Sequence, residues 1–388
     1  MGPRRFIVSV GALALVALVP LTPRIIWSSQ PEHRRTVVIV DKTVASADDY
    51  SEHAGLTWLL NHERIVQGAG NRDPGERFSA ATDYAGHVPG RAKLRALKIE
   101  PASADLVYVA DTYGVYAETA RGGDPDRVSG SNRPVRRAGA GGPQLIHGGL
   151  QPAEVATIQA GLRPGGLLVA EFNTLASPTG DKVRESFGTL MGVRSTGWIG
   201  RRFASLALGG DLPGWVREGW ERRTRRTWAF AGGGYVLTHR DGRIVVLEEG
   251  TDIARRGLTV QFERAARKRW GVAASTGYEQ WFEIVTPRKQ AKVVARYRLQ
   301  LRKPGAAKLA SARLPAEFPA VVTTAGTARN TIYFAGDWVD VSNLPDSYQR
   351  AGAAWWQART TSGNSANPRA FFWHVFVPLL RAELEHLE

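Results

Sequence analysis

The sequence predicts an α/β fold: an open, mostly parallel sheet with an antiparallel β-rich insertion and a transmembrane helix at the amino terminus. Three observations predict it. Over residues 36–190, short apolar, β-branched runs that stop at an acidic residue alternate with helix-patterned segments, the rhythm of strands joined by right-handed helical crossovers. Between residues 213 and 303 the pattern shifts to closely spaced β-rich segments. Ahead of both, Arg4 and Arg5 precede sixteen uncharged residues, 6–21.

As a helix, that leading run spans about 24 Å, somewhat less than a ~30 Å hydrocarbon core, a gap that bilayer thinning or snorkelling of Arg24 closes. The two arginines hold the amino terminus in the cytoplasm by the positive-inside rule. Residues 1–24 therefore read as a signal-anchor, single-pass in the cell inner (cytoplasmic) membrane, with the large domain outside. A cleaved secretion signal and a buried helix are the alternatives.

The elements follow in order. Residues 36–40 form a buried strand ending at Asp41, and residues 52–62 the helix after it. Residues 67–90 are a Gly-rich excursion, and residues 93–97 read as a brief helical piece. A second strand, 105–110, ends at Asp111, and a Gly-, Arg- and Pro-rich insert fills residues 118–142. Pro152 and Glu154 open the next helix, as proline and acid do in a first turn. Gly165-Gly166 turns the chain into a third strand, 167–170, ending at Glu171; a helix then covers 179–190. In the β-rich stretch, Asp241-Gly242 marks a hairpin turn. Strands at 320–323 and 331–335 complete the first sheet. Asn367 and Pro368 cap a final amphipathic helix, which Pro378 should kink. The resulting division is 1–24 anchor, 36–212 first part of the α/β domain, 213–303 β-rich lobe, and 318–388 completion of the domain.

Leu150-Gln-Pro-Ala-Glu-Val and Arg163-Pro-Gly-Gly-Leu-Leu-Val-Ala, with the later Phe318-Pro-Ala-Val-Val and Thr331-Ile-Tyr-Phe-Ala-Gly-Asp, resemble the class I glutamine amidotransferase-like superfamily, in its non-amidotransferase branches. The resemblance covers residues 36–200 and 318–360 and implies a flavodoxin-like sheet. The true amidotransferases of that superfamily carry a cysteine nucleophile on a strand-to-helix elbow, whereas these 388 residues contain no cysteine, so the resemblance is to a branch that lacks it. Amidotransferase chemistry is excluded, and so are disulfides, Cys-ligated zinc and iron–sulfur clusters.

Asp41, Asp111, Glu171 and Asp337 each follow an apolar strand, where an open α/β sheet faces its ligand crevice. Acids there provide acid–base catalysis or oxygen ligands for a divalent cation; acids after strands also cap helices and tie down loops. The catalytic set so read is Asp41, Asp111, Glu171 and His53. Lys42, Thr112, Asn173, Asp337 and Trp338 are the ligand-binding residues. His53 and His62 lie nine apart, unlike a ligand pair on one helix turn, so no histidine metal site is expected. No phosphate-binding glycine loop follows the first strand, so no nucleotide cofactor is expected, and a cation at the acidic crevice is the sole cofactor in view.

Lys and Arg number 51 against 36 Asp and Glu, a net charge of +15. Arg222, Arg223, Arg225 and Arg226 concentrate it between Trp220 and Trp228. Outside the cytoplasm the matching partner is an envelope glycan or anionic lipid, or another membrane protein, and not nucleic acid. The expectation is a membrane-anchored domain that binds, or assists export or modification of, an envelope polysaccharide. A carboxylate-dependent hydrolase or lyase on such a glycan, and a structural subunit of a membrane complex, are the alternatives.

Overall fold

The computed structural model describes residues 21–68, 75–90, 94–117, 144–207, 212–325, 329–341, 344, 349–361 and 367–387. The insert at 118–142 and the apolar run up to residue 20 lie outside them. In chain order the principal elements are α1 (Thr22–Ser29), β1 (Val37–Asp41), α2 (Ser51–His62), β2 (Ala104–Asp111), α3 (Pro152–Gly161), β3 (Leu162–Ala170), α4 (Asp181–Met191), β4 (Val193–Phe203), α5 (Gly214–Thr224), β5 (Gly234–His239), β6 (Ile244–Glu248), β7 (Ile253–Phe262), β8 (Ser275–Gly277), β9 (Phe282–Pro287), β10 (Lys292–Leu301), β11 (Glu317–Thr324), β12 (Asn330–Phe334) and α6 (Ala353–Thr360). A terminal helix closes the fold, running through Pro368–Phe371, a π turn at Phe372–Phe376, and Val377–Glu385.

Eight strands form the main sheet in the order β8-β7-β10-β11-β12-β3-β2-β1. The pairs β1–β2, β2–β3 and β3–β12 are parallel; β12–β11, β11–β10, β10–β7 and β7–β8 are antiparallel. This corrects the mostly parallel sheet: its antiparallel half is drawn largely from the stretch read as a separate β-rich lobe. The reason is burial. Tyr297 and Leu299 of β10 need cover, and extending the main sheet hides them where an isolated lobe would leave an edge exposed. What remains of the stretch joins β4 in a second, antiparallel sheet, ordered β6-β5-β4-β9. Residues 93–97 hold a two-residue strand, Leu94–Arg95, paired with Gly86–His87, where a helical piece was expected.

Side chains alternate across β12 and so bind two layers to one strand. Tyr333 points to the second sheet, where its hydroxyl meets Glu283. Phe334 points the other way, toward Phe376 of the terminal helix. That helix docks Phe372, Val375, Phe376, Leu379 and Leu380 into the core. Pro378 cannot donate to the carbonyl of residue 374, and the wider π turn stands just upstream of it.

Among the described residues no helix is long and apolar enough to cross a membrane. The first described helix, α1, has eight residues, about 12 Å of rise, and tucks Trp27 inward to donate its indole N–H to the His62 carbonyl. The transmembrane signal-anchor is corrected on that finding, its residues 1–20 lying outside the described residues. So are the expectations built upon it: the membrane-anchored function, the membrane partner and the single-pass inner-membrane location.

Residues 85 and 86 run along the end of β1, with Asp41 N–H donating to the Ala85 carbonyl at 3.0 Å. A Cβ on Gly86 would stand 1.7 Å from the Asp41 carbonyl oxygen. Gly86→Ala must therefore push two backbones apart, and a loss of at least about 3 kcal/mol is expected in urea unfolding.

Candidate metal centre

The four parallel strands end on one edge of the sheet, and the acids collect there. Asp41 and Asp111 close β1 and β2 and are register partners. Glu171 follows β3, and Asp337 follows β12. Glu52 comes from the first turn of α2, directly after the β1 loop.

Two of the four strand-end acids are committed to the framework. Asp41 Oδ1 accepts from the Thr43 N–H at 2.8 Å and from its hydroxyl at 2.5 Å, while Oδ2 lies 2.6 Å from His53 Nδ1. His53 Nε2 donates to the Ala80 carbonyl at 2.8 Å, so both ring nitrogens are engaged and the residue is fully buried. Glu171 accepts from the Tyr108 hydroxyl on one oxygen and from the Trp338 N–H, at 2.7 Å, on the other. These bonds tie β3 to the chain leaving β12. They leave neither residue poised to exchange protons with a substrate.

The other two converge with Glu52. One carboxylate oxygen from each of Glu52, Asp111 and Asp337 lies within 4.8 Å of the other two. Asp111 accepts from the Tyr113 N–H at 2.5 Å and, on its second oxygen, from the Asn173 side-chain amide at 2.9 Å. Asn173 sits at φ 65°, a left-handed conformation that asparagine tolerates better than most residues, and the Thr112 hydroxyl holds its carbonyl at 3.1 Å. Asn173 and Thr112 thus orient Asp111. Asp337 is 6 % exposed, and among the described residues its carboxylate has neither a hydrogen-bond donor nor an ion-pair partner.

Carboxylates crowded without paired cations favour their protonated forms. Burial pushes Asp111 up to about 8, against the pull of the Tyr113 N–H and the Asn173 amide. Asp337 is held well above the usual carboxylate range by burial, then by the charges of Asp111, Asp340 and Glu171, with Arg201 opposing. Glu52, itself partly exposed, is raised by burial and then by Asp340, Asp111 and Asp337. Burial also raises Glu171 to about 8. Three convergent carboxylate oxygens, with no ion pair to them among the described residues, form a group able to coordinate a divalent cation.

The remaining expected residues lie elsewhere. Lys42 is buried, donating from Nζ to the Gly149 carbonyl at 2.7 Å and to Glu154 at 2.5 Å. That turns it away from the acids and onto the start of α3. Trp338 stacks on Phe334 at 4.5 Å and donates to the Tyr297 hydroxyl at 3.1 Å, a core contact. Arg222, Arg223, Arg225 and Arg226 are exposed on and just after α5, away from the strands that build the acidic edge. Glu52 was not among the expected site residues. The signal for it was its place in the loop-to-helix turn after the first strand, which also suits an ordinary helix-capping acid.

No family model matches the chain, and no curated protein matches it. One solved structure, titled "Crystal structure of Agd3 a novel carbohydrate deacetylase", aligns with 90% of this chain at 11% identity and a TM-score of 0.36. The chain spans about a third of that structure's length, 33%. The amidotransferase-like resemblance and the envelope-glycan partner gain no support from these comparisons.

Proposed function

We propose that Glu52, Asp111 and Asp337 hold a hard divalent cation of the Ca2+, Mg2+ or Mn2+ class, and that this cation is the protein's working centre. The observation that carries the reading is the convergence of one carboxylate oxygen from each of these residues within 4.8 Å, with no ion pair to any of them among the described residues. Two cation–oxygen distances of about 2.4 Å span that spread, and an all-oxygen donor set favours hard cations over zinc or copper. The site lies at the carboxyl ends of parallel strands, where open α/β sheets bind ligands. A cation held by three carboxylates keeps coordination positions for a substrate oxygen, and Asp340 stands close enough to act electrostatically on both Glu52 and Asp337. Hydrolysis of an oxygen-rich substrate is the chemistry this supports, with the cation as Lewis acid and a neighbouring carboxylate as general base.

Calorimetric titration of the metal-free protein with Mn2+, Ca2+ and Mg2+ tests the reading. One-to-one binding is expected, tighter at about pH 8 than at about pH 5.5, because the cation must displace protons from the cluster. Absence of binding at millimolar cation at the higher pH would overturn it.

A further inference from the structure

β9 joins the acidic edge to the second sheet. Its strand does more than pack on the main sheet, because it hydrogen-bonds to the segment that carries Asp337. Glu283 N–H donates to the Ala335 carbonyl at 3.0 Å, Phe282 bridges Gly336, and Asp337 N–H donates to the Trp281 carbonyl at 3.2 Å. Across this seam Glu283 is fully buried and accepts from the Tyr333 hydroxyl of β12, while its second oxygen has no hydrogen-bond partner. Arg184 of α4 and Ser195 of β4 also act on its carboxyl. The approach is close on every side. A Cβ on Gly336 would lie 2.3 Å from both the Tyr278 and Tyr297 hydroxyl oxygens.

A fully buried carboxyl with one oxygen left without a hydrogen bond needs a reason to be there. We propose that Glu283 is a positioning residue for the acidic centre: its contact with Tyr333 clamps β9 onto residues 335–337 and so sets where the Asp337 carboxylate stands. The inference rests on the cation-site reading for its consequence, but the clamp itself is a property of the backbone seam. Glu283 and Tyr333 come from different sheets, and both strands border the same three residues. Loosening either side frees Asp337 without touching the cluster.

Two readouts on the full chain test this, one of them independent of any cation. In Glu283→Leu, amide exchange at Glu283 and Asp337 is expected to quicken, and Mn2+ affinity to fall about tenfold, the range seen when an outer-shell partner is lost. Glu283→Gln retains an acceptor for Tyr333 and is expected to restore both. Should the leucine variant fail to fold, Tyr333→Phe, which removes only the hydroxyl, is expected to show the same faster exchange. Unchanged exchange in both Glu283→Leu and Tyr333→Phe would overturn the clamp. So would a Glu283→Gln variant as loose as the leucine one, since the carboxyl's acceptor role would then be irrelevant. If the wild-type protein binds no Mn2+ yet these amides quicken, the clamp stands and the cation-site reading fails.

Discussion

Asp337→Asn is expected to weaken Mn2+ binding about 100-fold or more, beyond the usual effect of an outer-shell change, while leaving the cation-free protein at least as stable as wild type. The two effects separate because of how Asp337 is held. Its backbone is fixed through its N–H to the Trp281 carbonyl and its carbonyl from the Tyr278 hydroxyl. Its carboxylate makes no such bond among the described residues. The amide is nearly isosteric, removes one buried like charge, and leaves no protein donor orphaned. Asp41→Asn should show the opposite pattern. There the carboxylate supports Thr43 and His53, so stability falls and affinity in the folded protein changes little. Calorimetry for affinity and urea unfolding for stability distinguish the two. An Asp337→Asn protein that binds Mn2+ like wild type would remove Asp337 from the ligand set.

The second large effect is a fall in the stability of the cation-free protein as pH rises from about 4 to about 8. Asp111 and Glu171 are raised to about 8, and burial raises Glu283 to about 7. In the unfolded chain these groups titrate near 4. Over that window the folded state retains protons that the unfolded state releases, so unfolding becomes easier with each added pH unit. Added cation should oppose it: a concentration 100 times the dissociation constant contributes about 2.7 kcal/mol. The rescue should be large at pH 8 and small at pH 5, where protons occupy the site. It should also be incomplete, since Glu171 and Glu283 titrate outside the ligand set. Urea midpoints across the pH range, with and without Mn2+, check this; a flat profile for the cation-free protein would contradict it.

The strand-end acids were legible in the sequence because an apolar β-branched run that stops at Asp41, Asp111 or Glu171 announces both a buried strand and its carboxyl end. Their division into framework and site was not. Asp41 is consumed partly by a neighbour, Thr43, but Glu171 is consumed by Tyr108 and by the backbone of Trp338, residues 63 and 167 positions away. No local pattern encodes such a pairing. Glu52 was hidden for the converse reason, since its local context already accounts for an acid. The sheet's antiparallel half escaped similarly. The alternating burial of Lys292–Leu301 marks a strand but not its neighbours, and the choice between a free lobe and a longer sheet is made by tertiary burial.

The central position of β12 has a consequence for how the chain is made. This strand belongs to the last part of the sequence, yet it lies between β3 and β11 and joins the two halves of the sheet. Until it emerges, β3 presents an open edge of apolar residues, a template for pairing with other chains. Such long-range insertion is slow compared with local folding. A fragment ending near residue 212 would carry Glu52 and Asp111 but neither Asp337 nor the strand that seals β3, and should aggregate where the full chain remains dispersed. The acidic cluster is thus completed only when the sheet is, because Asp337 arrives with the strand that seals it.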